Sequence, residues 1–282
     1  MGNAQEIFYG EEREIEPAEY TELQEAIKKF DSDEELRLVC EVRKHLKKEW
    51  IQENKELTDF ISLACLRYRK YDVDRAVKRM NNYFNWRVEN IKEGLQRQST
   101  DDGSLLRKMF DINMVKLLPD LTQRGQSCVY IRMRKARPDL FEASEVVQMV
   151  HYIMLIALKR NPISQVMGII SLGDLEGAGS AQLDKNVPRK IIGMISQHLP
   201  IRLAGLFICH PNILVSIIVP LAKLFMTKKM KDRLKVVGDD NELLIFGFKQ
   251  FMLPKSLGGN FNIEDDGNPF PVSTESTEVK EK

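Results

Sequence analysis

Hydrophobic positions recur along this chain with two different periods, and the change from one to the other divides it. In EYTELQEAIKKF, apolar residues fall at Leu23, Ala26, Ile27 and Phe30, the spacing of one helix face. DSDEELRLVCEVRKHLKKEW follows, with Ser32 and Glu35 at capping-box spacing. Next come ELTDFISLACLRYRKY and DVDRAVKRMNNYFNWRVENIKEG. In the last of these Val73, Ala76, Val77, Met80, Tyr83 and Phe84 form one stripe, Asp72 is the predicted N-cap and Gly94 the predicted stop. The pattern predicts three or four amphipathic helices in a small bundle over residues 19–95. The polar run QRQSTDDGS predicts a linker, drawn over residues 96–110.

Beyond it the period shortens. SCVYIRM, QVMGIISL and LAGLFIC are short β-branched runs and read as strands, with helical stretches between them at 142–160 and 187–198. Alternation of strand and helix predicts an α/β fold with a mainly parallel sheet. Strands apolar at successive positions fit a sheet covered on both faces. LPKSLGGNF, with two turn-forming glycines, closes a domain drawn over 111–261. The ends, 1–18 and 262–282, are acidic and predicted to be solvated and disordered.

One stretch stands apart. Between Arg202 and Lys223 no residue is formally charged, whereas Lys223 to Lys235 holds six Lys or Arg against one Asp. Three readings compete. A membrane span needs about 20 apolar residues in one helix, but His210-Pro211-Asn212 is a turn signal that splits the run into a strand and a helix at about 213–226. Pro220 is expected to bend or break that helix further. A buried core helix accounts for the hydrophobicity but not for the basic segment directly behind it. An amphipathic lid accounts for both: one side covers a cavity, the other meets a bilayer, and the lysines face anionic headgroups.

Composition narrows the class. The chain has 282 residues, a formal net charge of +1 and 43% hydrophobic residues, enough for one large domain or two smaller ones. Near-neutral charge argues against a nucleic-acid partner. Cys40, Cys65, Cys128 and Cys209 lie far apart with no metal-ligand spacing, which points to a reduced, cytoplasmic protein. The start, MGNAQEIFYGEER, lacks the apolar core of a signal peptide, and Glu6 stands where a myristoylation signal takes Ser or Thr.

No motif assembles a reaction centre. Gly177 and Gly179 suggest a dinucleotide loop, but Gln182 occupies the place of the third glycine. Asp174 and Glu176, at a strand end, read as loop-capping carboxylates. His45 reads as a solvated residue of a polar helix, and His151, His198 and His210 as structural histidines with satisfied hydrogen bonds. The expectation is a non-enzyme that needs no cofactor or metal.

Four segments, in order, resemble the CRAL-TRIO lipid-binding family, in the branch of the α-tocopherol transfer and retinaldehyde-binding proteins. CLRYRKYDVDRAVKRMNNYFNWR resembles the end of its N-terminal helical module. GIISLGDLEG resembles its central strand and turn, and LPIRLAGLFICHPNILVSIIVPLAKLFMTKKMKDRLKVVG its strand, lid helix and basic segment. LPKSLGG resembles its closing turn. The resemblance spans residues 20–261. It implies a helical bundle packed on an α/β sandwich with an internal apolar cavity, a lid helix that gates access, and a basic cleft for a phosphoinositide headgroup. By motif, Arg69, Arg202, Lys229 and Arg233 take the headgroup positions. For Arg69 the alternative is an ion pair that fastens the helical module to the core. Ala204 replaces a second basic residue of that branch, LAC replaces Leu-Arg-Phe before Leu66, and Leu224 replaces a proline. Those departures imply a weaker or altered phosphoinositide preference.

The expected function is therefore a monomeric carrier of one hydrophobic small molecule, associating transiently with phosphoinositide-containing membranes. Met154, Leu199, Ile201, Leu206, Ile213, Ile217, Ile218 and Leu221 are the candidate pocket and lid residues. The main rival is a lipid-sensing adaptor that does not transfer its lipid.

Overall fold

The computed structural model describes residues 32–91 and 103–263. The predicted helix at 20–30, the Gly94 stop, the polar stretch at 96–102 and the acidic segments 1–18 and 264–282 lie outside the described residues.

The helical half contains α1 (Ser32–Arg43), α2 (Lys48–Glu53), α3 (Lys55–Tyr68) and α4 (Val73–Asn90). Local chemistry sets their limits. Asn54 starts α3 by accepting the Leu57 amide, and Asp72 starts α4 by accepting the Arg75 amide at 3.0 Å. α1 stops at Arg43, so His45 lies in the turn before α2 rather than in a helix, exposed and 3.8 Å from Glu41. Between α3 and α4 the chain passes through two left-handed residues, Lys70 (φ 55°) and Tyr71 (φ 63°). The Tyr71 amide returns to the Leu66 carbonyl at 2.7 Å and closes α3 with a left-handed cap. The predicted stripe of α4 is the buried one: Ala76, Met80, Tyr83 and Phe84 are inaccessible to solvent, and Trp50 stacks on Phe84.

The second half opens with a correction. Residues 105–110, read as linker, belong to α5 (Leu105–Asp111), which Ser104 caps and which buries Leu106, Met109 and Phe110. The polar composition that suggested a linker ends at Ser104; three apolar residues at helical spacing then dock on the core.

Among the described residues five strands form one sheet in sequence order: β1 (Val115–Leu117), β2 (Ser127–Arg132), β3 (Ile169–Asp174), β4 (Leu203–Cys209) and β5 (Leu234–Val237). β1 is antiparallel to β2, and the other neighbours are parallel. α6 (Ala143–Arg160) and the short α7 (Ser164–Met167) connect β2 to β3. α8 (Asn186–Gly193), extended by a π-type turn at Met194–His198, connects β3 to β4. α9 (Val215–Phe225) and α10 (Lys228–Lys231) connect β4 to β5, and α11 (Asn241–Ile245) follows.

Both faces of the sheet are covered, as the unbroken apolar strands predict. Cys128, Tyr130, Ile170, Leu172, Phe207 and Cys209 point to one side, where Leu243, Phe248, Met252, Leu253 and Leu257 pack on them. Val129, Ile169 and Leu203 point to the other side and join α5, α6, α8 and the helical half in one continuous core. The helical half is thus part of the same core as the sheet. Gly168, just before β3, holds the two central strands at their close approach. Its φ is +99°, and a Cβ there would lie 2.4 Å from the Arg202 carbonyl oxygen. Gly168→Ala is expected to cost more than about 1 kcal/mol of stability, read as a fall in the thermal midpoint.

Candidate functional site

The segment after β4 folds as the turn signal predicts. His210-Pro211-Asn212 breaks the strand, and α9 begins at Val215. Pro220 sits inside α9 without ending it; most of the helix is open to solvent on one side, where a missing amide is tolerated. Leu214 and Ala222 are buried, and Ile218, between them at helical spacing, faces the same way. On the other side Ile213 is 78% exposed, Ile217 42% and Leu224 75%. The helix is therefore apolar on both sides, with only one side covered. Among the described residues no helix is long and apolar enough to cross a membrane.

Beneath α9 lies an almost wholly apolar cavity of about 200 Å³. Met109 of α5, Val150 of α6, Ile191 of α8, Leu206 of β4 and Ile218, Ala222 and Met226 of the α9 segment line it, with Ser171 and Gly173 of β3 as its floor. Of the residues proposed from sequence, Leu206 and Ile218 reach this wall. Met154 and Leu199 are buried in the continuous core instead. Ile213 and Ile217 face solvent, Leu221 is half-buried, and Ile201 faces the neighbouring cleft.

That cleft is larger, about 670 Å³, and sets cations among apolar residues such as Met167, Ile195 and Met230. Arg69, Arg202, Lys229 and Arg233 all line it, together with Lys70, and among the described residues no carboxylate does. Arg69 lies against the Tyr68 ring, 4.7 Å from its centroid, and its Nε is buried without a partner. Behind it, Arg79 donates from both Nη atoms to the Ser196 carbonyl at 3.1 Å and to the Tyr68 hydroxyl at 3.3 Å. Burial lowers the pKa of Arg79, and the Arg69 charge adds to the effect. Burial likewise lowers that of Arg233, with a further push from Arg202. Neighbouring cations thus oppose one another, and an anion placed among them relieves that repulsion. Arg233 also donates from Nη1 to the Leu203 carbonyl at 2.6 Å, which fixes its guanidinium at the cleft edge.

The ion pair considered for Arg69 is made by Arg67 instead. Its Nε and Nη2 donate to Glu35 at 2.8 and 2.7 Å, and Nη1 donates to Gln165 of α7 at 3.1 Å. Two residues separate the two roles: Arg67, at the cleft edge, spends its guanidinium on Glu35 and Gln165, whereas the Arg69 Nε has no partner among the described residues.

Comparison with known proteins decides the family. The CRAL/TRIO domain matches residues 114–259, just over half of the chain. The chain belongs to the CRAL/TRIO family. Alpha-tocopherol transfer protein-like from Homo sapiens is 27% identical over 257 residues, covering 87% of this chain and 72% of that protein. The Mus musculus relative of the same description is 28% identical over 251 residues with the same coverage. A crystal structure of Sfh5 aligns with a TM-score of 0.54 at 14% identity, over 86% of this chain and 95% of that one, a likeness of fold. The matched CRAL/TRIO segment contains the sheet, the cavity floor, α9 and three of the four predicted cleft cations; Arg69 comes from the helical module ahead of it.

The histidines expected to have satisfied hydrogen bonds divide: the His151 Nδ1 is buried without a partner among the described residues. His151 is buried against Tyr83, whose hydroxyl is 3.2 Å from its Nε2, and burial holds its pKa well below the ordinary histidine value. His198 stacks on Trp86 and is paired with the Asn82 carbonyl. Asp174, Glu176 and His210 bring three potential ligand atoms within 4.8 Å of one another. Their partners are protein donors, however: Tyr130, the Glu176 amide and His210 on Asp174, and Arg134 on Glu176. The group is a proton-bridged network. The sequence offered Asp174, Glu176 and His210 singly but not their association, because His210 lies far from the other two in the chain; Tyr68 and Lys70 flank Arg69, but no local pattern marked them or Arg79 as part of the cleft.

Proposed function

We propose that this protein carries one hydrophobic small molecule in the cavity beneath α9 and exchanges it at membranes whose anionic headgroups, phosphoinositides in particular, occupy the basic cleft. The observation that supports this reading is the wall between the two pockets. Met226 and Leu234 face the apolar cavity, whereas Thr227, Lys229, Met230 and Arg233 between them face the cleft. A headgroup bound on one side therefore bears on the segment that closes the other.

The cavity chemistry selects an apolar ligand, stabilised by about 0.8 kcal/mol per buried methylene. A site for a drug-sized molecule has a volume of roughly 300–1,000 Å³, so loading must widen the present 200 Å³ space. α9 is the natural element to move, since among the described residues its outer face is exposed and its isoleucines Ile213 and Ile217 can enter the bilayer interface as it lifts. The relatives described as alpha-tocopherol transfer protein-like agree with a carrier of lipid-like molecules.

Native mass spectrometry with lipid extraction from the purified protein tests the carrier reading. A single apolar species is expected to co-purify. Ala222→Trp, which fills the cavity from the helix side, is expected to abolish it while leaving the thermal midpoint within a few degrees. Transfer between liposomes separates a carrier from a sensor that holds lipid without moving it.

A further inference from the structure

Where β4 gives way to α9, the imidazole of His210 lies between two carboxylates. Nδ1 is 2.8 Å from Asp174 Oδ1, and Nε2 is 3.3 Å from Asp240 Oδ2. A neutral imidazole has one N–H and would turn a lone pair toward one of the two oxygens; an imidazolium donates to both. Asp174 is buried at the end of β3 and also accepts from the Tyr130 hydroxyl at 2.5 Å and the Glu176 amide at 2.9 Å. Asp240 lies in the turn after β5. The bridge thus ties two separate parts of the sheet to the first residue of the turn into α9.

The backbone there is held out of its ordinary range. His210 has φ +48°, a left-handed conformation that a non-glycine residue keeps when its surroundings enforce it. Two residues on, Asn212 donates to the Leu175 and Ala178 carbonyls and accepts the Leu214 amide. The Asn212 contacts involve neutral groups. The His210 contacts are the titratable part of the attachment.

We propose that His210 is a pH-sensitive latch at the hinge of α9: protonated, it clamps the start of the helix between Asp174 and Asp240, and on losing its proton it lets go of one carboxylate and frees the helix to lift. The latch depends on this geometry and not on what the cavity carries. The groups facing it are mostly acidic. Besides Asp174 and Asp240, Asp239 caps the Asn241 amide, and Glu242 lies close enough to act on the Cys209 thiol. Glu176 is paired with Arg134 at 2.5 Å, which occupies the cation at this turn. Burial together with Asp240, Asp174 and Glu242 pushes the Cys209 thiol up, and burial with the Asp174 hydrogen bond does the same to the Tyr130 hydroxyl, so both stay uncharged.

Burial pushes the His210 imidazole down, but the Asp174 hydrogen bond and the charges of Asp174 and Asp240 outweigh it, so its pKa lies above the ordinary value. The sign follows. Stabilisation of the latched state is complete below the ordinary value of about 6.5 and is lost as pH rises through the raised one. Alkaline pH opens the hinge and acid pH holds it.

NMR of the full chain with ¹³C-labelled histidine resolves four imidazoles, and His210→Gln assigns the one that disappears. Hydrogen exchange of amides 213–226, corrected for its intrinsic pH dependence, reports the opening at pH 6 and pH 8.5. His210 is expected to titrate above about 6.5, and to move back toward that value in Asp240→Asn. Opening in the wild type is expected to rise with pH, by up to tenfold for each pKa unit between latched and free imidazole, and to be flat in His210→Gln. Asp240→Asn, at the more accessible end of the bridge, keeps the test available if His210→Gln does not fold. Titration of His210 at or below the ordinary value, or wild-type pH dependence of opening in either variant, overturns the proposal.

Discussion

Replacing Lys229 and Arg233 together by alanine is expected to weaken binding to phosphoinositide-containing liposomes about thirtyfold, taking about 1 kcal/mol for each cation near an anionic surface and a factor of ten for each 1.4 kcal/mol. Both residues line a cleft in which, among the described residues, no carboxylate competes for them. The effect should shrink as salt rises, because the Debye length falls to about 8 Å at physiological ionic strength. Arg233→Lys separates charge from shape: a lysine keeps the point charge but lacks the planar fork that meets two phosphate oxygens at once. It also loses the Nη1 bond to the Leu203 carbonyl. Co-sedimentation measures the binding, and a liposome transfer assay measures its consequence. Unchanged transfer to phosphoinositide liposomes in the double variant would remove the headgroup from the proposed function while leaving the apolar cavity untouched.

The largest expected loss of stability comes from Glu35. Its side chain and that of Arg67 are both less than one-tenth exposed, and the pair is bidentate. The Tyr71 hydroxyl donates to the same carboxylate at 2.7 Å, and Arg67 carries the contact on to Gln165, which in turn donates to the Leu158 carbonyl. Removing one partner leaves a buried charge without its counter-charge, which typically costs about 3–5 kcal/mol. Glu35→Ala is expected to lower the thermal midpoint by roughly 10 °C in a chain of this size. A double replacement of Glu35 and Arg67 by apolar residues of similar volume should recover much of that, since it removes both desolvated charges. If the single variant melts with the wild type, the pair does not fasten α1 and α3 to the sheet domain.

Much of the architecture was legible from periodicity because burial acts on neighbours at fixed spacing. The α4 stripe, the Asp72 cap and strands β2, β3 and β4 each follow from residues within one turn or one pleat. β1 and β5 did not announce themselves. They are three and four residues long, and β5 carries exposed Lys235 and Val236 at the sheet edge, so neither presents the apolar run that marks a buried strand. QVMGIISL was read as strand throughout, but Gln165 to Met167 complete α7, and the left-handed Gly168 turns the chain into β3.

The site divides in the same way. The sequence by itself determined that 213–226 is a helix apolar on more than one side and that a basic segment follows it, both properties of composition and short-range spacing. The choice of Arg69, Arg202, Lys229 and Arg233 came from the family resemblance of the motifs around them. Only the tertiary structure decided that the four cations share one cleft, that Arg67 rather than Arg69 makes the buried ion pair, and that Leu206 and Ile218 reach the cavity wall while Met154 and Leu199 stay in the core. It alone brought Asp174, His210 and Asp240 together. Helix and strand periods fix which way a side chain points along its own element; which groups it meets depends on how elements distant in sequence pack, and no local pattern encodes that.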